Sequence, residues 1–319
     1  MEQEITEKLS IENIEPLRLL GREDCNLRII EARFKARVVV RNDVIAVSGP
    51  ENEVRPLVRV LEGLIALVKE GRVLEEHDVS YAIDSVEEQT SQTLDNAQRT
   101  VYHLEHLSVS PRTVGQAKYL KAIEEFDVVF SIGPAGTGKT YLAVAAAVNA
   151  LKVKIVDRIL LVRPAVEAGE SLGFLPGGFE DKVNPYMRPL YDALHEMLSF
   201  DRMKRFIELG VIEIAPLAYM RGRTLSNSFV ILDEGQNTTL GQMKMFLTRL
   251  GAHSRAVVTG DITQVDLADS SQSGLIQVQS ILGRVEGIKF IYLTERDVVR
   301  HKLVKDIIMA FEAEERKRK

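Results

Sequence analysis

The chain has 319 residues, 46 acidic against 41 basic, a formal charge of −5 and a single cysteine, Cys25. That length allows two domains, the lone cysteine excludes an intrachain disulfide, and the mild negative charge gives no global attraction for nucleic acid, although a local basic stripe suffices for phosphate contacts. No apolar run approaches the roughly 20 residues that a membrane crossing needs, and the acidic start Met1-Glu2-Gln3-Glu4 has no apolar signal core, so a cytoplasmic protein with no membrane partner is expected.

Residues 1–12 are polar and read as a frayed helix or a strand. Asn26 to Phe34 has the length of a short helix. Arg37–Arg41 and Val44–Ser48 alternate as two strands joined at Asn42-Asp43, a tight hairpin signal, and Gly49-Pro50 closes the second. Leu57, Val60, Leu61, Leu64 and Val68 then recur at helical spacing between Asn52 and Lys69. Helix, strand, strand, helix resembles a small α+β KH-like fold. A KH module clamps RNA with a Gly-x-x-Gly loop between two helices, and that loop does not occur here, so a docking or oligomerisation domain is an equal reading. Residues 71–100 are polar and acidic and read as a linker, with a short helix near 78–86. This divides the chain into 1–100, an N-terminal domain and linker, and 101–319.

From residue 111 strands and helices alternate. The strands are predicted at 127–132, 159–162, 211–214, 229–232, 256–259 and 289–293. Helical patterns separate most of them, which argues for a mainly parallel sheet covered on both faces. The Gly- and Pro-rich stretch 163–190 breaks the alternation, and long ordered loops of this kind are more often functional than idle.

The first core strand, Val128–Ile132, runs into Gly133-Pro134-Ala135-Gly136-Thr137-Gly138-Lys139-Thr140, a complete Gly-x4-Gly-Lys-Thr phosphate loop, and a helix follows from Tyr141. Strand, glycine loop and helix are the context that this motif requires. Glycines let backbone N–H groups turn inward around a phosphate chain, and the helix N-terminus adds a favourable dipole. Lys139 can reach the β- and γ-phosphates and the Thr140 hydroxyl can ligate Mg²⁺. The expected cofactors are therefore ATP and Mg²⁺, held by residues 133–141. The strand Phe229–Leu232 ends in Asp233-Glu234. Beside a phosphate loop, Asp233 is placed to hold Mg²⁺ and Glu234 to orient and polarise the attacking water.

At this point the sequence resembles a family. Asp233-Glu234-Gly235-Gln236-Asn237-Thr238-Thr239 looks like the acidic motif of PhoH-like ATPases, which usually carry alanine where this chain has Gly235. Arg163–Glu170, Leu172–Gly177 and Gly260-Asp261-Ile262-Thr263-Gln264-Val265-Asp266 match as well. The resemblance spans residues 111 to about 310 and implies a RecA-like core similar to the first motor domain of superfamily 1 helicases. It also implies further roles. Gln116 would hydrogen-bond adenine, an amide being both donor and acceptor. Gln264 would sense the γ-phosphate. Arg296 or Arg300 would complete a neighbouring subunit's site, since little chain follows residue 300 and family members look like ring formers. Arg163, and the Tyr219-Met220-Arg221-Gly222-Arg223 stretch, would hold single-stranded RNA through phosphate contact and base stacking.

The expected function is Mg²⁺-dependent ATP hydrolysis coupled to work on RNA by a homo-oligomeric ring, with a ribonuclease as a possible partner. Two alternatives stay open: a nucleotide-gated switch or scaffold acting through a protein partner, and a small-molecule kinase whose lid is the 163–190 stretch. The six histidines do not cluster with Cys25 in a zinc pattern, and there is neither a nucleophile elbow nor a dinucleotide fingerprint.

Overall fold

The computed structural model describes residues 3–88, 100–164 and 179–299 together with Ile307; for 179–185 only the backbone is described. The chain separates into two compact units, one of Met1–Gln98 with Arg112–Val114, the other of Arg99–Pro111 with Gly115–Lys319.

The first unit runs β1 (Glu4–Ser10), α1 (Pro16–Leu20), α2 (Cys25–Arg33), β2 (Arg37–Arg41), β3 (Val44–Pro50), α3 (Glu51–Lys69) and α4 (Glu76–Glu88). Its three strands form an antiparallel sheet in the order β1-β3-β2. The hairpin turn is where Asn42-Asp43 predicts it, with Asn42 at φ 52°, a left-handed conformation that asparagine tolerates. α3 buries Leu57, Val60, Leu61, Leu64 and Val68, the predicted helical stripe, and extends it to Val54.

Two open readings are decided. Of the helix and strand alternatives for the polar start, residues 4–10 take the strand, at the sheet edge, where Ile5 and Leu9 are partly covered. The short helix expected near 78–86 is present and longer, as α4 over 76–88, and is not linker: it places Val79, Ile83 and Val86 in the core of this unit, a three-residue apolar stripe among many acidic residues. Between α1 and α2 the chain runs Gly21-Arg22-Glu23-Asp24, with Glu23 and Asp24 at φ 52° and 58°. This turn between two helices thus carries two carboxylates.

The second unit opens with a short hairpin, β4 (Tyr102–His103) and β5 (Ser108–Val109), and α5 (Val114–Glu125). It continues β6 (Val128–Ile132), α6 (Lys139–Lys152), β7 (Arg158–Arg163), α7 (Phe179–Met197), α8 (Phe200–Glu208), β8 (Ile212–Pro216), β9 (Ser228–Leu232), α9 (Leu240–Leu247), β10 (Arg255–Gly260), α10 (Gly274–Leu282) and β11 (Ile288–Tyr292). All six predicted core strands are present, in one parallel sheet of order β11-β6-β10-β9-β7-β8. Strand residues alternate between two cores: Val129, Ile159, Leu161, Phe229, Ile231 and Val257 pack with α5–α8, while Phe130, Leu160, Val162, Val230, Leu232 and Val258 pack with α9 and α10. Burial on both faces explains why these strands read as unbroken apolar runs. The architecture is that of a RecA-like α/β core.

The stretch 163–190 is not a single loop. Residues 165–178 lie outside the described residues, and from Phe179 the chain is helical despite Pro185 and Pro189. Proline removes a backbone donor and normally breaks a helix; Met187, Leu190, Leu194 and Met197 of this helix are buried in the core, and tertiary packing outweighs the local preference. Because every core strand is parallel, the segments after β6, β7, β8, β9, β10 and β11 all emerge at one edge of the sheet, where open α/β sheets bind ligands.

Candidate functional site: a phosphate-binding cleft

At that edge lies a cleft of about 280 Å³ lined by Ala135, Gly136, Gly138, Lys139, Thr140, Tyr141, Asp233, Glu234, Gly260, Asp261 and Gln264. Its lining comes from the ends of β6, β9 and β10, and so unites motifs far apart in sequence.

The phosphate loop owes its shape to glycine. Gly136 and Gly138 have φ 83° and 79°, a region that side-chain-bearing residues rarely adopt. At Gly133 an added Cβ would lie 2.5 Å from the Leu293 carbonyl oxygen, so the loop packs directly on the chain leaving β11. The Gly133 amide donates to the Gly260 carbonyl (3.1 Å) and the Val299 amide to the Gly136 carbonyl (3.0 Å). The Lys139 ammonium donates to the carbonyls of Gly133 (2.6 Å) and Pro134 (2.8 Å), which holds it across the mouth of the loop. Tyr119 donates its hydroxyl to the Lys139 carbonyl at 3.1 Å. Burial pushes the Tyr119 phenol well above its usual range, and the nearby Asp233 charge pushes it the same way, so this donor stays protonated.

Gln116 lies on α5, is 4% exposed and donates its amide to the Thr137 carbonyl at 3.0 Å. Its amide nitrogen is therefore given to the loop backbone. The Thr137 hydroxyl in turn donates to Pro134 (2.9 Å), so the crest of the loop is held from beneath.

Asp233 is buried and accepts from two hydroxyls on one oxygen, Thr140 Oγ1 at 2.6 Å and Thr259 Oγ1 at 2.7 Å. In the sequence Thr259 stands at the head of the Thr259-Gly260-Asp261 element that resembles a γ-phosphate sensor, but a bond to Asp233 was not read for it; the signal was a hydroxyl inside an otherwise apolar strand. Glu234 has φ 53°, an uncommon conformation for glutamate, which turns its side chain toward the cleft. Its Oε1 accepts from Arg163 at 2.9 Å and its Oε2 from Gln236 Nε2 at 2.6 Å. Gln236 is itself buried; its Oε1 accepts from the Asp261 amide (3.0 Å) and its Nε2 also reaches the Gln264 carbonyl (3.1 Å). Asn237 and Asp266 exchange two further bonds, at 3.1 and 2.8 Å. The turns after β9 and β10 are thereby cross-linked, and Gln264 lines the cleft with its side chain exposed.

Other predicted residues fall differently. Arg163 does not face an outer groove: it ion-pairs with Glu234 and approaches Asp233 to 4.0 Å. Arg223 forms a two-pronged pair with Glu213, at 2.5 and 2.7 Å; this hydrogen-bonded pairing lowers the Glu213 carboxyl below its usual range and raises the Arg223 guanidinium. Arg223 is thus committed within the protein. Arg221 is exposed and Tyr219 is 46% exposed, both following β8. Arg296 is exposed in the turn after β11, three residues before the amide that binds Gly136. Arg300 and most of the 163–178 loop lie outside the described residues.

The donor set fits a magnesium nucleotide. The Thr140 hydroxyl and Asp233 offer two adjacent oxygens, while Asp261 Oδ2 is buried with no hydrogen-bond partner among the described residues, an acceptor that a metal-bound water could use. Mg²⁺ usually takes one or two carboxylates with phosphates and waters, and Asp233 with the Thr140 hydroxyl could supply the protein's share.

A family model described as PhoH-like protein matches residues 108–312. The chain is 48% identical over 300 residues to a PhoH-like protein of Bacillus subtilis, covering 93% of this chain and 94% of that one. It is 46% identical over 202 residues to protein PhoH of Escherichia coli, covering 63% and 57%. Among solved structures, the DUF1998 helicase MrfA bound to DNA overlaps 58% of this chain and 27% of that one at 11% identity with a TM-score of 0.36, a slight likeness on which nothing here rests. With its phosphate loop, its acidic strand end, the family match over residues 108–312 and a 48% identical relative along nearly its whole length, the chain belongs to the PhoH-like family and carries that family's P-loop nucleotide-binding site.

Proposed function

We propose that this protein hydrolyses ATP with Mg²⁺ in the cytoplasm and couples the reaction to single-stranded RNA. One observation carries the reading: the Thr140 and Thr259 hydroxyls converge on a single oxygen of Asp233 while the adjacent Glu234 lines the same cleft. Thr140 and Asp233 would hold the metal, which supplies charge neutralisation on the transferring phosphoryl group. The loop amides and Lys139 bind and orient the phosphates. Glu234 accepts a hydrogen bond from the water that attacks the γ-phosphorus, so that water adds as the bond to the β-phosphate oxygen breaks, giving ADP and phosphate. Gln264, whose backbone carbonyl is linked to Glu234 through Gln236, would respond to the γ-phosphate.

The RNA reading rests on Tyr219 and Arg221, an exposed ring and an exposed guanidinium beside the cleft end of β8. Aromatic stacking with a cation is a sequence-tolerant way to hold a single strand. The test is steady-state ATP hydrolysis with and without unstructured RNA. Stimulation that is lost in Arg221→Ala supports the reading; equal rates with every single strand tried refute it.

The same reading places Arg296 at a contact with a second copy in a ring, where an added arginine accelerates phosphoryl transfer. Mixing Lys139→Ala with Arg296→Ala subunits should restore part of the activity, and a mixture as dead as its components removes that role. A nucleotide-gated switch working through a partner such as a ribonuclease is the second reading, favoured by the ion pair on Glu234, which restrains hydrolysis in the isolated chain. Glu234→Gln separates the two. A motor loses its output while still binding ATP, and a switch holds its partner more tightly.

A further inference from the structure

Arg163 is spoken for on three sides. Its Nη2 donates to Glu234 Oε1 at 2.9 Å, its Nη1 to the Tyr186 carbonyl on α7 at 2.7 Å, and its Nε lies 4.0 Å from Asp233. Its side chain is 18% exposed. Among the described residues it is not part of the cleft lining, so it reaches Glu234 from beside the phosphate site. With Gln236 on the other oxygen at 2.6 Å, both oxygens of Glu234 are engaged by protein donors. A carboxylate held at both oxygens is poorly free to turn to a water.

The sheet puts Arg163 between two stations. β7 pairs with β9, which delivers Glu234, and with β8, in a register that sets Arg163 opposite Pro216. The next residues, Leu217–Met220, form the turn that bears the exposed Tyr219, followed by exposed Arg221. A guanidinium fork fits a phosphate as well as it fits a carboxylate, so exchanging one oxyanion for the other never leaves the arginine unpaired.

We propose that Arg163 is a positioning residue that latches Glu234 and releases it when a phosphate of single-stranded RNA, lying over Tyr219 and Arg221, takes the guanidinium. Nucleic-acid occupancy would then reach the water-orienting carboxylate through a single side chain. The inference rests on the ATPase and RNA reading above and adds the route between the two sites.

The test uses coupling in the reverse direction, because two ligands of one group must affect each other equally. Binding of a fluorescein-labelled oligo(U) is measured by anisotropy on the full chain, free of nucleotide, over a salt series. Glu234→Ala frees Arg163, so affinity should rise several-fold, and the slope of log K against log salt should steepen by about 0.7, one extra phosphate contact on a single strand. Adding Arg163→Ala to that variant should abolish both gains. Unchanged affinity and slope in Glu234→Ala, while the wild type binds oligo(U), overturns the latch alone. A wild type that binds no oligo(U) overturns the RNA reading and the latch with it. As a second readout, Arg163→Gln should raise hydrolysis without RNA and lose the RNA response, with the affinity for a fluorescent ATP analogue unchanged. A fall in the RNA-free rate at unchanged affinity overturns the latch. If Arg163→Gln melts early, the Glu234→Ala arm decides by itself, since that substitution only trims a part-exposed side chain.

Discussion

Gln116→Ala separates two ways in which a buried glutamine can serve a nucleotide site. The amide is 4% exposed and its nitrogen donates to the Thr137 carbonyl at 3.0 Å, so removing it leaves a buried carbonyl without its donor. Such a loss costs about 1–3 kcal/mol. At roughly 2–4 °C per kcal/mol for a unit of this size, the melting temperature of the second unit should fall by about 2–12 °C. Thr137 forms the crest of the phosphate loop, so binding of ATP and GTP should weaken together, as expected of a misplaced loop that cradles phosphates. Differential scanning fluorimetry, with titration of fluorescent ATP and GTP analogues, measures both effects. An unchanged melting temperature with selective loss of ATP would refute the loop-holding role and restore Gln116 as the adenine reader that the resemblance implies.

Three other outcomes are expected. Gly133→Ala drives a Cβ to 2.5 Å from the Leu293 carbonyl and 2.8 Å from Leu293 Cβ, so the loop or the end of β11 must shift; nucleotide binding by calorimetry should drop at least tenfold, and normal binding would show that the loop yields freely. Gly235→Ala places a Cβ 2.7 Å from Val258 Cγ1, and as valine is stiff at χ1 the overpacking should cost about 1–3 kcal/mol. Adding Val258→Ala should make the pair more stable than the sum of the two single losses, and strict additivity in urea unfolding would argue against that contact. For Glu213 and Arg223 the pH sign follows from the lowered carboxyl. The pair's contribution, no more than about 1 kcal/mol at this exposure, is present above the unfolded carboxylate range and disappears as pH falls through the lowered folded value. The stability gap between the wild type and Glu213→Gln should therefore narrow between pH 7 and pH 3, and a gap that widens refutes the pairing.

Where the core is buried on both faces, the sequence reads well. β6, β7, β8, β9, β10 and β11 all lie within a residue or two of their predicted positions, since apolar runs between turn signals leave few alternatives. β1 stayed one of two readings because its edge strand only partly covers Ile5 and Leu9, and α4 was read short and within a linker because its acidic residues surround a stripe of only Val79, Ile83 and Val86. At the site, Gly133–Thr140 and Asp233-Glu234 were legible because phosphate chemistry dictates both residue type and spacing. Arg163 was legible as important but assigned outward, since nothing local tells an arginine that grips RNA from one that grips Glu234. That distinction comes from β7 and β9 lying side by side, a property of strand order rather than of either segment. Thr259 and Gln236 stood within recognised motifs, but their contacts were not read for the same reason: their partners come from neighbouring strand ends.

The cross-links between the turns after β9 and β10 have a further consequence. Gln236 touches Glu234, Asp261 and the Gln264 carbonyl at once, and Asn237 is tied twice to Asp266. Two motifs that look separable along the chain therefore share one rigid plate with few internal degrees of freedom. A substitution in that plate should not retune Glu234, the proposed water-orienting acid, while sparing Gln264, the proposed γ-phosphate sensor. Variation that alters hydrolysis without altering its trigger must come from outside the plate, and Arg163 is the contact through which it can enter.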